Sequence, residues 1–197
     1  MKLYKYRSLV NFQYVADIFC NRRFHAALFT DLNDPMEGLF EYHLDTPQHF
    51  VDRIVTGKQQ LRICSFSKSL SNLLLWAHYA DGFKGICIEV EIPDGSMPEL
   101  EDVVYSPYSL LLLPNDIDEC KYLSRDVLCC KNQAWDYEEE VRIITTEEYV
   151  NDGFSFESVY FGLRTPRVMK KSLSVLVPQH VTLYETKIGR DNCIEKC

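Results

Sequence analysis

The segment Trp135-Asp136-Tyr137-Glu138-Glu139-Glu140-Val141-Arg142-Ile143-Ile144 sets three consecutive carboxylates between an aromatic pair and an apolar, β-type run. Side chains alternate along a strand, so a strand from Glu140 to Thr146 would put Glu140 and Arg142 on one face and Val141 and Ile143 on the other. Glu138 would join them on the polar surface. That surface is either a solvated charge run leading into an edge strand or a carboxylate group facing a cleft, and the rest of the chain has to decide between the two.

From the N-terminus, Leu3 to Tyr6 reads as a strand with Arg7 at its exit. Phe12, Val15, Ala16 and Phe19 then recur at helical spacing through Cys20. A strand from Phe24 to Phe29 leads into Asn33-Asp34-Pro35-Met36-Glu37, turn chemistry that could also present Asn33, Asp34 or Glu37 to a cleft. Thr46-Pro47 suggests a capped helix ending near Gly57. Leu61 to Phe66 is a strand ending in Ser65-Phe66-Ser67, and Ser71 or Asn72 would cap a helix from Leu73 to Tyr79 that carries Trp76, His78 and Tyr79. Ile86, Ile88 and Val90 alternate with Cys87, Glu89 and Glu91, which predicts an amphipathic strand over Gly85 to Ile92.

Beyond it, Val103 to Tyr105 reads as a short strand. Leu123, Val127, Cys130 and Ala134 keep helical spacing in a helix from about Asp116 to Ala134. Ser158 to Leu163 is a strand, and Thr165-Pro166 opens a helix bearing Arg164, Arg167, Lys170 and Lys171. Leu173 to Val177 and Val181 to Ile188 read as two last strands. The order departs from strict β-α-β alternation, so the expected fold is α+β, one domain over residues 1–190 with a mixed, mostly antiparallel core flanked by helices, and a polar tail over residues 191–197.

Composition narrows the function. A net charge of −8 argues against extended nucleic-acid binding, which needs lysine and arginine to neutralise phosphates. Met1 to Arg7 lacks the apolar core of a signal peptide, and no run approaches the roughly 18 apolar residues of a membrane span. A cytoplasmic protein with no membrane partner is expected. None of the eight cysteines forms a C-x-x-C pair, and His78 has no second histidine at ligand spacing, so no metal is expected.

Taken together, Leu3-Tyr4-Lys5-Tyr6-Arg7, Asn33-Asp34-Pro35-Met36-Glu37, Ser65-Phe66-Ser67, Trp76-Ala77-His78-Tyr79-Ala80, Gly85-Ile86-Cys87-Ile88, Trp135 through Arg142 and Tyr160-Phe161-Gly162 resemble the bacterial domain of unknown function 2971 across nearly the whole chain. That family names no reaction. A second likeness is to the ADP-ribosyltransferase superfamily, which places an arginine or histidine on an early strand, a serine-containing or aromatic motif on a middle strand and a glutamate near a later one. Arg7, Ser65-Phe66-Ser67 with Tyr79, and Glu138 or Glu140 fall in that order. The middle motif departs from Ser-Thr-Ser, and no target-recognition loop precedes the glutamate.

The likeness implies an ADP-ribosyltransferase-like fold and NAD as substrate. Losing nicotinamide from NAD passes through an oxocarbenium-like sugar, which a nearby carboxylate stabilises. Glu140 is the first candidate for that role and Glu138 the second. Arg7 would hold pyrophosphate or ribose through bidentate bonds. Ser65 and Ser67 would position the ribose or amide, Tyr79 or Trp76 would stack on the nicotinamide, and His78, Asn33, Glu37 and Arg142 complete the expected ligand-binding set. The ligand would be nucleotide-like, with a macromolecular target as acceptor. Two alternatives stand beside this expectation: a noncatalytic nucleotide-binding or interaction domain, and a hydrolase or nuclease holding magnesium between Asp34, Glu37, Glu138 and Glu140.

Overall fold

A computed structural model of the chain describes residues 1–93, 95, 99–112, 123–190 and 193–197. In chain order its strands and helices are β1 (Lys2–Arg7), α1 (Phe12–Asn21), β2 (Phe24–His25), β3 (Ala27–Leu28), β4 (Phe40–Tyr42), α2 (Gln48–Gln59), β5 (Arg62–Ser67), α3 (Leu73–Tyr79), β6 (Ile86–Glu91), β7 (Leu100–Asp102), β8 (Val104–Ser106), β9 (Leu110–Leu112), α4 (Leu123–Val127), β10 (Cys130–Asn132), β11 (Glu140–Thr145), β12 (Tyr149–Val150), β13 (Ser155–Phe161), α5 (Arg167–Leu176), β14 (Thr182–Ile188) and β15 (Ile194–Lys196). Two 3-10 turns, Phe29–Asp31 and Gln133–Glu138, lie among them. The architecture is α+β.

The principal sheet runs β15-β14-β13-β6-β1-β5-β11-β7, with β3 on β5. All its pairings are antiparallel except β13 with β14. One face carries Leu3, Phe66, Ile88, Val141 and Val159, sealed by Val15, Ile18 and Phe19 of α1 and Leu173 of α5. The other packs Tyr6, Cys87 and Tyr160 against Leu75 and Trp76 of α3. Asn72 caps α3, its side chain accepting from the Leu74 amide.

The sheet is not evenly zipped. β1 pairs with β6 at every position from Lys2 to Arg7, but it meets β5 only where Tyr4 faces Ser67. Past that point the strands part, and the Lys5 ammonium donates to the Ser65 carbonyl in place of a ladder bond. The base of this split depends on Gly85. A Cβ there would stand 2.2 Å from the Arg7 carbonyl oxygen and 2.9 Å from Ala80 Cα. Gly85→Ala should therefore lower unfolding stability by about 1–3 kcal/mol, measured by urea denaturation. Unchanged stability would show that β1 and α3 can move apart freely.

Several elements differ from the sequence expectation. Of the helix expected over Asp116 to Ala134, the stretch before Leu123 lies outside the described residues; the helix ends at Val127, and Cys130–Asn132 is a strand parallel to β8. Lys131 must reach inward from an extended backbone, a placement that helical spacing concealed. Leu173 to Leu176 closes α5 instead of forming a strand, because Met169, Leu173 and Leu176 make one apolar stripe. Pro47, not Thr46, stands at the start of α2, and the Thr46 hydroxyl has no hydrogen-bond partner among the described residues. β6 is covered on both faces rather than amphipathic, and its Glu89 is held by Lys2 and Tyr160. The expected tail contributes β15, whose Ile194 is buried. Among the described residues, no helix is long and apolar enough to cross a membrane.

Candidate functional site

The parting of β1 from β5 opens a cavity of about 240 Å³. One wall is Tyr4 to Arg7 of β1, with His25 and Ala27 beside it; the facing side comes from Ile63 to Ser67. Tyr79, Lys131, Glu138 and Glu140 close one end, and Asp31, Asn33 and Glu37 arrive from the turn after β3.

The acidic end is a continuous buried network. Asn132 accepts from the Ala134 amide and starts the 3-10 turn Gln133–Glu138. Glu139 then takes the left-handed conformation (φ 44°), which reverses the chain so that Glu138 and Glu140 face the same cation. The Lys131 ammonium lies 2.5 Å from Glu138 Oε2 and 3.1 Å from Glu140 Oε2. Arg142, with no exposed surface, forks onto Glu140 at 2.9 and 3.0 Å and onto Glu37 at 2.6 and 2.9 Å. It also donates to the Leu128 carbonyl. Ser65, lining the same cavity, adds to the effects that lower the Glu140 pKa. The Ser67 hydroxyl donates to the Glu138 carbonyl at 2.6 Å, pinning the end of the 3-10 turn to β5. Tyr79 donates to Glu138 Oε1 and accepts from the Asn33 amide at 3.0 Å.

This arrangement separates the two carboxylates electrically. Burial opposes charge on Glu140, but Arg142 and Lys131 outweigh it and hold its pKa down at about 2. For Glu138 burial prevails over Lys131 and the Tyr79 hydrogen bond, and the nearby Glu140 charge adds to it, so its pKa is raised. Two carboxyls pushed in opposite directions suit different tasks, one staying ionised and the other exchanging a proton.

The opposite wall is basic. Arg7 is half-buried, its Nε is enclosed without a hydrogen-bond partner among the described residues, and burial lowers its pKa. Lys5, also half-buried, has its pKa lowered to about 8 by burial, with Arg7 adding to the effect. His25, at the rim, is lowered by burial and by Arg62, Arg7 and Lys5 together.

Of the expected residues, Arg7, Ser65, Ser67, Tyr79, Asn33, Glu37, Glu138 and Glu140 line this one cavity. Arg142 lies beneath it as the counter-ion of Glu37 and Glu140. His78 is exposed, against the Tyr79 and Tyr137 rings and outside the lining. Trp76 is core rather than a stacking platform. Lys5 and Lys131 escaped the sequence reading. The alternation that selects Arg7 also selects Lys5, two positions earlier on the same face; Lys131 carried no such signal. For a magnesium site, Lys131 and Arg142 already sit between the carboxylates, and Asp34 instead accepts from the Met36 amide. Among the described residues, no group of His, Cys, Asp and Glu is arranged to hold a metal.

The chain matches no family model, no curated protein and no solved structure.

Proposed function

We propose that the cavity binds a nucleotide-like ligand and that the protein cleaves NAD or transfers ADP-ribose to a macromolecular acceptor in the cytoplasm, as an ADP-ribosyltransferase-like member of the domain of unknown function 2971 family. The observation that carries this reading is the meeting of Arg7, Ser65 and Glu140, from three strands, on one cavity. Arg7, lining the cavity, offers its guanidinium to a phosphate or ribose. Glu140, ionised at any physiological pH, stabilises positive charge growing on the sugar. Glu138, holding a proton more readily, hydrogen-bonds a hydroxyl or accepts the proton of the attacking group.

The test is release of nicotinamide from labelled NAD, with and without cell-extract acceptors. Glu140→Gln should reduce turnover on the order of a hundredfold, a typical effect of losing electrostatic stabilisation, at a thermal midpoint showing that the fold persists. Equal turnover by both proteins would remove Glu140 from the reaction. One observation favours a noncatalytic nucleotide-binding reading: both Glu140 oxygens are already engaged by Arg142 and Lys131. Saturable ADP-ribose binding with no turnover would establish that second reading.

A further inference from the structure

Lys5 differs from the cations at the acidic end. Among the described residues it forms no ion pair with a carboxylate; its ammonium donates to the Ser65 carbonyl, lies 3.9 Å from Cys64 Sγ and sits 5.1 Å from the centre of the Phe66 ring. It lines the cavity on the same strand as Arg7, two residues away, which sets their attachment points roughly 7 Å apart. A lysine that is desolvated and next to another cation is the arrangement that frees an amine as a nucleophile.

We propose that Lys5 is a carbonyl-reactive amine and that the basic end of the cavity takes an anionic aldehyde or ketone, its anion seated at Arg7 and its carbonyl carbon bonded to the Lys5 nitrogen. The neutral amine adds to the carbonyl carbon, forming the C–N bond. Of the three ammonium protons, one is released when the amine becomes neutral and one after the addition; both reach the carbonyl oxygen, its bond to carbon breaks and it leaves as water, while the third proton stays on nitrogen. From ammonium and carbonyl the balance is one iminium and one water, with no oxidant or reductant. The iminium keeps one N–H, enough to maintain the bond to the Ser65 carbonyl. Phosphate or carboxylate on the ligand meets Arg7, which lines the same cavity. This activity lies across the cavity from Glu138 and Glu140 and does not require NAD cleavage, so either can fail alone.

The probe is pyridoxal 5′-phosphate, a phosphate-bearing aldehyde, trapped with borohydride and located by peptide mass spectrometry in the full chain. Lys5 should label at least about tenfold faster at pH 7.5 than the exposed Lys84 and Lys171, because it is enclosed beside Arg7 in the cavity and they are not. Its yield should level off near pH 8 to 9. Burial sets this midpoint first; the charged and titratable groups acting on Lys5 are Cys64 on β5, Arg7 on β1 and Glu140 on β11, and His25 on β2 lies close enough to feel the Lys5 charge. Inorganic phosphate should slow Lys5 labelling, and Arg7→Gln should slow it several-fold. The pH profile and phosphate competition use unmodified protein, so they stand even if a variant folds poorly. Labelling of Lys5 no faster than the exposed lysines, or indifferent to phosphate, would overturn the proposal.

Discussion

Arg142→Met is expected to lower unfolding stability by about 3–5 kcal/mol, the usual cost of removing one partner from a buried ion pair. Arg142 is wholly buried and joins β11 to the turn before β4 through Glu37 and to its own strand through Glu140. The methionine would fill much of the volume but leave Glu37 without its fork and Glu140 with Lys131 alone. For a chain of this size, the thermal midpoint should fall on the order of 10 °C. Urea titration of the purified variant measures it. Adding Glu37→Gln and Glu140→Gln should recover part of the loss, because much of the penalty comes from stranded charge. A loss below about 1 kcal/mol would mean that water reaches the network and screens it.

That network explains what could and could not be read from the chain. Local patterns found β5, β6 and α3 with its Asn72 cap, and alternation correctly set Glu140 beside Arg142 on one face. Those features depend on neighbours a few residues apart. The Glu37 to Arg142 bond spans 105 positions, and no local spacing encodes it. Lys131 was hidden for another reason: apolar residues around it fall at helical intervals, yet β10 is drawn out by its parallel pairing with β8. Tertiary pairing overrode the local period. The split between β1 and β5 was equally invisible, since the two strands share one register pair, Tyr4 with Ser67, and neither strand holds a breaker. Candidate residue types were therefore legible, whereas the division of the cavity into an ion-paired acidic end and a wall carrying Lys5 and Arg7 was not.

The same division predicts an unusual acid-stability profile. Glu140 has a folded pKa of about 2, below the roughly 4.3 of an unfolded glutamate. A depressed carboxylate contributes stability that is fully present above the unfolded pKa and is lost as pH falls through the folded one, here from about pH 5 towards 2. The contribution is about 3 kcal/mol by linkage. Glu138 has the opposite sign, because its folded pKa is raised. It costs stability when both states are ionised, and that cost disappears as falling pH protonates the folded form. Descending from neutrality, stability should first hold level or rise slightly, then drop steeply below about pH 4. Asp17 and Glu89 are also depressed and steepen the acid limb, so the informative quantity is the change on substitution. Glu140→Gln should reduce the slope of unfolding free energy between pH 4 and 2.5 by up to about 1.4 kcal/mol per pH unit. Glu138→Gln should leave that limb in place and abolish the recovery above it. If the two variants exchanged these effects, the ionised and proton-holding roles would belong to the opposite carboxylates, and the roles proposed for Glu138 and Glu140 would have to be exchanged with them.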